Sequence, residues 1–118
     1  MASVYEAIHT SLGRRTAIKV LHPHLARDAM ANARFLREGR AIAKIRHDNV
    51  VDIFDVGVSD GVPYLVMSLL DGEDLATRLR RERRMAISDV ADCLLPVIAA
   101  VRAAHAAGIV HRDLKPSN

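Results

Sequence analysis

The first 70 residues alternate between hydrophobic and polar positions in a way that predicts a small antiparallel sheet. Two strand-like segments, residues 2–7 and 16–21, flank a turn around Gly13 and predict a hairpin. Two further segments, residues 50–58 and 63–69, flank an Asp-Gly pair, which predicts a second hairpin. The last segment is an almost continuous apolar run, so we expect it to be buried on both faces.

A helical pattern separates the two predicted hairpins. Between residues 28 and 45 the apolar side chains recur at helical spacing, and Asp28 is typical of an N-cap. The preceding segment His22-Pro23-His24 predicts a turn that ends the second strand. Four strands with one helix between the second and the third indicate an α+β fold rather than a doubly wound parallel sheet.

After residue 70 the pattern is entirely helical. Residues 71–74 predict a linker, and residues 75–84 predict a short helix that is rich in arginine. A long helix then starts at its expected N-cap, Ser88, and ends before Gly108. Pro96 lies inside this helix and predicts a kink or an early break.

Composition limits the classes of protein that fit this pattern. Half of the 118 residues are hydrophobic, which is enough for a packed core, but aromatic residues make up only 3%. So few aromatic side chains argue against binding single-stranded nucleic acid by stacking. The net charge of +3 does not require a polyanionic partner.

The cysteine content and the lengths of the apolar segments indicate a location. Cys93 is the only cysteine, so the chain has no disulfide framework and suits a reducing compartment. The longest apolar stretch is too short to span a bilayer, so no membrane segment is expected in this chain. We therefore expect a cytoplasmic location, with any membrane anchor lying in a longer parent protein.

The segment from His111 to Asn118 carries the strongest chemical signal. It places a carboxylate, two cations and an amide in one short loop, and Pro116 excludes the interior of a helix. The spacing from Asp113 to Asn118 fits a phosphoryl-transfer loop, in which a carboxylate orients a hydroxyl, Lys115 neutralises phosphate charge and an amide oxygen binds Mg²⁺.

Taken in chain order, these landmarks resemble the eukaryotic-type protein kinase family, and most of all its bacterial Ser/Thr branch. The matching segments are Thr16-Ala17-Ile18-Lys19, the helix that carries Glu38, His47-Asp48-Asn49-Val50, Tyr64-Leu65-Val66-Met67 and the loop from His111 to Asn118. The resemblance implies a protein-kinase-like fold: a small antiparallel-sheet lobe with one helix over residues 1–70, followed by the end of the hinge and the start of a helical lobe over residues 71–118.

The resemblance also implies a domain that is truncated at both ends. Most of the family's Gly-rich loop would precede Val4, and its Asp-Phe-Gly metal ligand and activation segment would follow Asn118. We therefore expect these 118 residues to have no appreciable kinase activity in isolation, since part of the phosphate cover and one metal ligand would lie outside them.

The resemblance implies a nucleotide site in the first lobe, with ATP and Mg²⁺ as cofactors. Lys19 would hold the α- and β-phosphates and pair with Glu38, forming or breaking the pair as a switch. Val4 and Ala17 would cover the adenine, and Met67 would be the gatekeeper at the back of the pocket.

The resemblance also gives roles to residues of the hinge and the terminal loop. Backbone groups from Ser68 to Leu70 would bind adenine, and Asp74 would contact the ribose or a basic substrate. Asp113 would accept the proton of a Ser or Thr hydroxyl on a protein substrate, and Lys115 would neutralise the γ-phosphate. Asn118 would ligate Mg²⁺, and Arg112 would read an activation-loop phosphate.

Three other functions remain open at the level of sequence. The chain could belong to a non-catalytic nucleotide-binding or pseudokinase-like module, although a scaffold need not keep Lys19, Glu38 and Asp113. It could belong to a small-molecule phosphotransferase with a similar loop, although Arg112 and Lys115 favour a protein substrate. A nucleic-acid contact through the arginines of residues 78–84 is the third, and a solvated helix face is the interpretation we favour there.

Overall fold

In a computed structural model, which describes residues 2–118, the chain forms two compact units. The first comprises residues 2–45 and 51–70, and the second comprises residues 46–50 and 71–118. The elements in chain order are β1 (Ala2–His9), β2 (Arg14–Leu21), α1 (Pro23–Ala26), α2 (Ala29–Ile42), β3 (Ile53–Ser59), β4 (Val62–Ser68), α3 (Leu75–Glu82) and α4 (Ile87–Ala106).

The first unit is built on a four-stranded antiparallel sheet with the order β1-β2-β4-β3. Both predicted hairpins are confirmed. Asp60 and Gly61 have φ values of 50° and 75°, the left-handed geometry that a two-residue hairpin turn requires. β3 begins at Ile53, later than predicted, because the N–H of Val50 closes a turn onto the carbonyl of His47.

One face of this sheet carries the core of the first unit. Ala17, Leu21 and Leu65 share that face and are each no more than 6% exposed. The prediction that β4 is buried on both faces is wrong, because Tyr64 and Val66 on the opposite face are only half-buried. The face with Leu65 is therefore closed at the centre of the sheet but open at β1, where Val4 is 58% exposed, and the opposite face is partly open to solvent.

The helices of the first unit agree in part with the sequence pattern. α2 starts as predicted, since the Asp28 carboxylate accepts from the N–H of Met30 at 2.8 Å. It ends at Ile42 rather than near Ile45, because the chain tightens there into shorter hydrogen-bonded turns. The segment predicted as a plain turn also forms the single-turn helix α1, which begins at Pro23.

Gly39 lets α2 approach the sheet closely. It is the one buried position of that helix, and a β-carbon there would overlap the terminal methyl groups of Leu65. A side chain at residue 39 would therefore require either the end of Leu65 or the helix itself to move.

The second unit contains α3 and α4. α3 ends at Glu82, two residues before the predicted end, because Arg83 turns left-handed with a φ of 59°. The predicted N-cap of α4, Ser88, is wrong: Ala86 is the N-cap and caps the helix with no side-chain hydrogen bond. The carboxylate of Asp89 nevertheless lies in the first turn, where negative charge favours the positive end of the helix dipole.

α4 continues without a break from Ile87 through Pro96 to Ala106, so the predicted early break does not occur. A proline inside a helix removes one hydrogen bond and crowds the carbonyl four residues earlier, but the turns on both sides of Pro96 keep α4 continuous. The helix ends as predicted at Gly108, which has a φ of 74°. The N–H groups of Gly108 and Ile109 donate to His105 and Ala104 at 2.9 Å, the Schellman arrangement.

Several apolar side chains of α4 are exposed to solvent. Leu95 and Ile98 are each more than 60% exposed. Within residues 2–118, no helix is both long enough and apolar enough to cross a membrane.

We predict that Gly39→Val lowers the free energy of unfolding by about 1–3 kcal/mol, because the added methyl groups would overpack the contact with Leu65. Urea denaturation followed by circular dichroism measures the change. The penalty should shrink in a Leu65→Ala background, which makes room for the new side chain. Ala33→Val, at an exposed position of α2, is the control for the helix propensity of valine. Equal effects at positions 33 and 39 would contradict the prediction.

Candidate active site

The loop from His111 to Asn118 is held in a compact conformation by its own hydrogen bonds. The Schellman turn at Gly108 ends α4 and releases the chain into this loop. The N–H of Asp113 donates to Nδ1 of His111 at 3.3 Å, and the N–H of Asn118 donates to the carbonyl of Lys115 at 3.0 Å. Arg112 has a left-handed φ of 61°, which helps to reverse the chain between these bonds.

The structure brings together the three loop residues that sequence spacing singled out. Nζ of Lys115 donates to Oδ2 of Asp113 at 2.8 Å. Nδ2 of Asn118 donates to the same oxygen at 3.3 Å and to the main-chain carbonyl of Asp113 at 2.6 Å. Oδ2 of Asp113 thus accepts hydrogen bonds from a lysine and from an amide, while Oδ1 accepts none from residues 2–118.

These contacts set the charge of the carboxylate. The hydrogen bond from Lys115 lowers the pKa of Asp113 most, and the bond from Asn118 lowers it next. The side chain of Asp113 remains 65% exposed, so solvent screens the ion pair considerably. Asp113 is therefore an ionised acceptor at neutral pH.

The side-chain amide of Asn118 is held through its nitrogen. Both of its hydrogen bonds use the Nδ2 donor, and no hydrogen bond within residues 2–118 uses its Oδ1. A neutral oxygen of this kind is a ligand that Mg²⁺ accepts. The described residues contain no group of three His, Cys, Asp or Glu side chains arranged to hold a metal.

A backbone hydrogen bond joins the loop to the first turn of α3. The N–H of Ala76 donates to the carbonyl of Pro116 at 2.8 Å. In the same turn, the carboxylate of Asp74 accepts from the N–H of Thr77 at 2.7 Å and caps the helix. This bond is the main reason why the pKa of Asp74 is lowered. Sequence reasoning missed the capping role, although an Asp at the first position before a helix is a usual signal for it.

The candidate nucleotide residues of the first unit share one face of the sheet. Val4 pairs with Lys19, and Ala17 pairs with Met67, across neighbouring antiparallel strands. Directly paired residues lie on the same side of an antiparallel sheet. The register therefore places Val4, Ala17, Lys19 and Met67 together on the face that also carries Leu65.

Lys19 and Glu38 form no ion pair in the part of the chain that the structure describes. Lys19 is half-buried and Glu38 is exposed. The reason is helical geometry: Gly39 faces Leu65, and the preceding residue is rotated by about 100° around the helix. Glu38 precedes Gly39, which lies over Leu65, and Leu65 is the cross-strand partner of Lys19.

The predicted hinge residues Ser68 and Leu70 differ in their surroundings, and the backbone N–H of Ser68 is already hydrogen-bonded. The N–H of Ser68 already donates to the carbonyl of Asp52 at 3.0 Å, so it is engaged within the first unit. Leu70 lies beyond the end of β4, and its side chain is 75% exposed.

Comparison with known proteins identifies the family. The sequence profile described as protein kinase domain matches residues 1–118. The chain belongs to the protein kinase family. Its fold class, predicted from sequence as kinase-like α+β, is confirmed.

Individual relatives agree with this kinase assignment. The chain is 45% identical over 118 residues to the serine/threonine-protein kinase Pkn1 of Myxococcus xanthus. It is 39% identical over 123 aligned residues to the serine/threonine-protein kinase PknA of Mycobacterium tuberculosis. All of this chain is covered in both cases, but it spans only 17% and 28% of those two proteins.

A solved kinase domain has the same fold. The crystal structure of the PknI kinase domain from Mycobacterium tuberculosis matches with a TM-score of 0.86 and 30% sequence identity. The match covers all of this chain and 48% of that one. The kinase chain described here thus corresponds to about half of a solved kinase domain.

We predict that Lys115→Met raises the pKa of Asp113 towards its ordinary value, because the largest cause of the lowered pKa is removed. In the wild type, a lowered pKa keeps the contact present above the ordinary carboxyl pKa and loses it only as pH falls through the lowered value. An NMR titration of the Asp113 carboxyl carbon measures the shift. Lys44→Met, an exposed lysine after α2, should leave the titration unchanged, and an unchanged titration in Lys115→Met would contradict the prediction.

Proposed function

We propose that this kinase chain is the part of a protein serine/threonine kinase that carries the catalytic loop, and that the parent transfers the γ-phosphate of ATP to Ser or Thr hydroxyls of proteins. The single observation that supports this most is the cluster of Asp113, Lys115 and Asn118 around one carboxylate oxygen. Phosphoryl transfer needs mainly positioning and charge stabilisation, and this cluster supplies groups for both.

In the proposed reaction, Asp113 orients the attacking hydroxyl. Its Oδ1 is available to accept the hydrogen bond from a substrate hydroxyl while Oδ2 is held by Lys115 and Asn118. When Lys115 turns to the γ-phosphate, Asp113 loses the hydrogen bond that lowers its pKa most, and becomes a stronger proton acceptor. Phosphate binding and base strength would thus rise together.

Mg²⁺ is the metal that fits the oxygen donor of Asn118, and when bound it would neutralise charge on the phosphates. Asn118 would hold it through Oδ1, with the remaining ligands coming from nucleotide, water and residues outside this chain.

The sheet unit would bind the nucleotide through the face described above. Val4, Ala17 and Met67 offer apolar surface for adenine, and Lys19 on the same face offers charge for the α- and β-phosphates. Backbone groups from Ser68 to Leu70 would bind the adenine edge, and the N–H groups after Ser68 are the candidate donors because that of Ser68 is engaged with Asp52.

The names of the relatives support a protein rather than a small-molecule substrate. The relatives cited above are named serine/threonine-protein kinases, and Lys115 lies two residues after Asp113, the spacing that the resemblance associates with Ser/Thr specificity. A cytoplasmic location fits an enzyme that uses ATP.

Nucleic-acid binding through α3 is not part of the proposal. Arg78 bonds to Glu82 and Asp89, and Arg81 bonds to Glu73 and Glu82, so two of the five arginines already have acidic partners. A binding measurement at physiological salt tests this, and affinity that falls steeply with added salt would contradict it.

We predict that Asp113→Asn in the full-length protein lowers kcat for phosphorylation of a generic basic protein by about 10²- to 10⁴-fold, because the hydroxyl loses its proton acceptor. Transfer of ³²P from ATP with Mg²⁺ present measures it. Asp92→Asn, at an exposed position of α4, is the matched control and should retain full activity.

The same assay separates the rival functions. ATP-dependent thermal stabilisation without turnover would favour a non-catalytic nucleotide-binding module. Transfer to aminoglycoside-like alcohols but not to proteins would favour a small-molecule phosphotransferase. Either result would overturn the proposed activity.

We also predict that Lys19 and Glu38 act as a pair during turnover, although they are not in contact here. Lys19→Met and Glu38→Gln should each lower kcat/KM, and the double variant should be little worse than either one, because each change removes the same interaction. Lys44→Met combined with Glu38→Gln should instead show additive effects. Full additivity for positions 19 and 38 would contradict the pair.

A further inference from the structure

The first turn of α3 holds the catalytic loop through a hydrogen bond between two main chains. The first N–H groups of any helix have no partner inside the helix and must find one elsewhere. In α3 the N–H of Thr77 is taken by the carboxylate of Asp74, and the N–H of Ala76 is taken by the carbonyl of Pro116. The two bonds are 2.7 and 2.8 Å long, so both are fully formed.

We propose that Asp74 is a positioning residue for phosphoryl transfer: by capping α3 it fixes the Ala76 N–H that anchors Pro116 between Lys115 and Asn118. The inference rests on the function proposed above for the loop. It gives Asp74 a task different from contact with ribose or substrate.

The geometry of the cap supports this role. Asp74 has an extended backbone, with φ of −72° and ψ of 159°, while its carbonyl already accepts from the N–H of Arg78 at 3.1 Å. Its main chain and its side chain therefore both define the first turn. The N–H of Ala76 in this turn donates to the carbonyl of Pro116 at 2.8 Å, and it also contributes, as the smallest cause, to the lowered pKa of Asp74.

The bond at Pro116 restrains the residues that matter for the chemistry. Pro116 has a fixed φ, and its neighbour Lys115 accepts from the N–H of Asn118. An anchor on the Pro116 carbonyl therefore limits the movement of the lysine on one side and of the amide two residues further on. These are the two side chains that bond to Asp113.

The middle of α3 is held against α4 by Arg78. Nη2 of Arg78 donates to Asp89 at 3.3 Å, and its Nη1 lies 3.7 Å from the sulfur of Cys93. α4 in turn leads through Gly108 into the loop. The loop is thus joined to α4 by the chain and to α3 by the Ala76 bond, and Arg78 joins the two helices, so these contacts form a closed ring.

The test compares two substitutions of Asp74 in the full-length kinase. Asp74→Ala removes the cap, and we expect kcat to fall by about 10- to 100-fold with little change in KM for ATP or for the protein substrate, because the loop is misplaced rather than the ligands lost. Asp74→Asn should stay within about threefold of wild type, since asparagine caps helices as well as aspartate does.

A direct contact with ligand gives a different pattern. If Asp74 binds a basic substrate through its charge, Asp74→Asn would raise KM as much as Asp74→Ala does, and the inference would be overturned. Unchanged kcat in Asp74→Ala would overturn it as well.

A main-chain substitution tests the anchoring bond itself. Replacing Ala76 by lactate turns its N–H into an ester oxygen and removes the donor to Pro116. Replacing Leu75 by its hydroxy-acid analogue is the matched control: it also weakens one helical acceptor, but the Leu75 N–H has no partner within residues 2–118. We expect the ester at position 76 to lower kcat as Asp74→Ala does, and the ester at position 75 to leave it nearly unchanged. Equal effects would overturn the inference.

A structural readout keeps this test separate from the proposed function. Hydrogen exchange of the Ala76 amide should be slow in the wild type and faster in Asp74→Ala, and amide NMR signals of residues 113–118 should shift in Asp74→Ala but not in Asp74→Asn. If the wild type transfers no phosphate, the proposed function fails, while these measurements still decide whether Asp74 positions the loop. Identical exchange and spectra in Asp74→Ala and wild type would overturn the inference regardless of activity.

Discussion

Unpaired backbone groups at helix ends are the constraint on which the geometry of the second unit depends. α3 has too few intrahelical acceptors for its first N–H groups, and one of them, at Ala76, binds the carbonyl of Pro116 in a loop far away in sequence. At the C-terminus of α4, the N–H groups of Gly108 and Ile109 donate to the last carbonyls of the helix, and the chain continues from there into that loop. The loop is therefore positioned by two helix termini, and at each of them unpaired backbone groups need hydrogen-bond partners.

Local signals explain what could be predicted of the fold. The Asp60-Gly61 turn and the termini at Asp28 and Gly108 each depend on residues within a few positions, so the sequence pattern was sufficient for them. Ser88 misled because a good capping residue is not always used, and the N-cap of α4 lies earlier in the chain, at Ala86. Of the two outcomes predicted for Pro96, the early break does not occur, because a proline weakens one turn of a long helix without ending it.

The site could be predicted only where its residues are close in sequence. Asp113, Lys115 and Asn118 fall within six consecutive positions, so their spacing was enough to group them. The hydrogen bond from Ala76 to Pro116 joins two main-chain groups, which nearly all residues have, so residue types could not predict it. The relation between Lys19 and Glu38 depends on the rotation of α2 about its axis, which helical periodicity does not define to within one residue.

Because α2 lies close to the sheet at Gly39, the size of the residue at position 39 can affect the position of a neighbouring charged side chain. The hydrogen atom at that position leaves room for the end of Leu65 under α2, and Glu38 is the preceding residue on the same helix. A larger residue at position 39 that pushed α2 away from β4 would move the Glu38 carboxylate relative to Lys19, although no charge would change. In homologous chains, the size of an apolar residue at this position could therefore determine how readily Glu38 reaches Lys19.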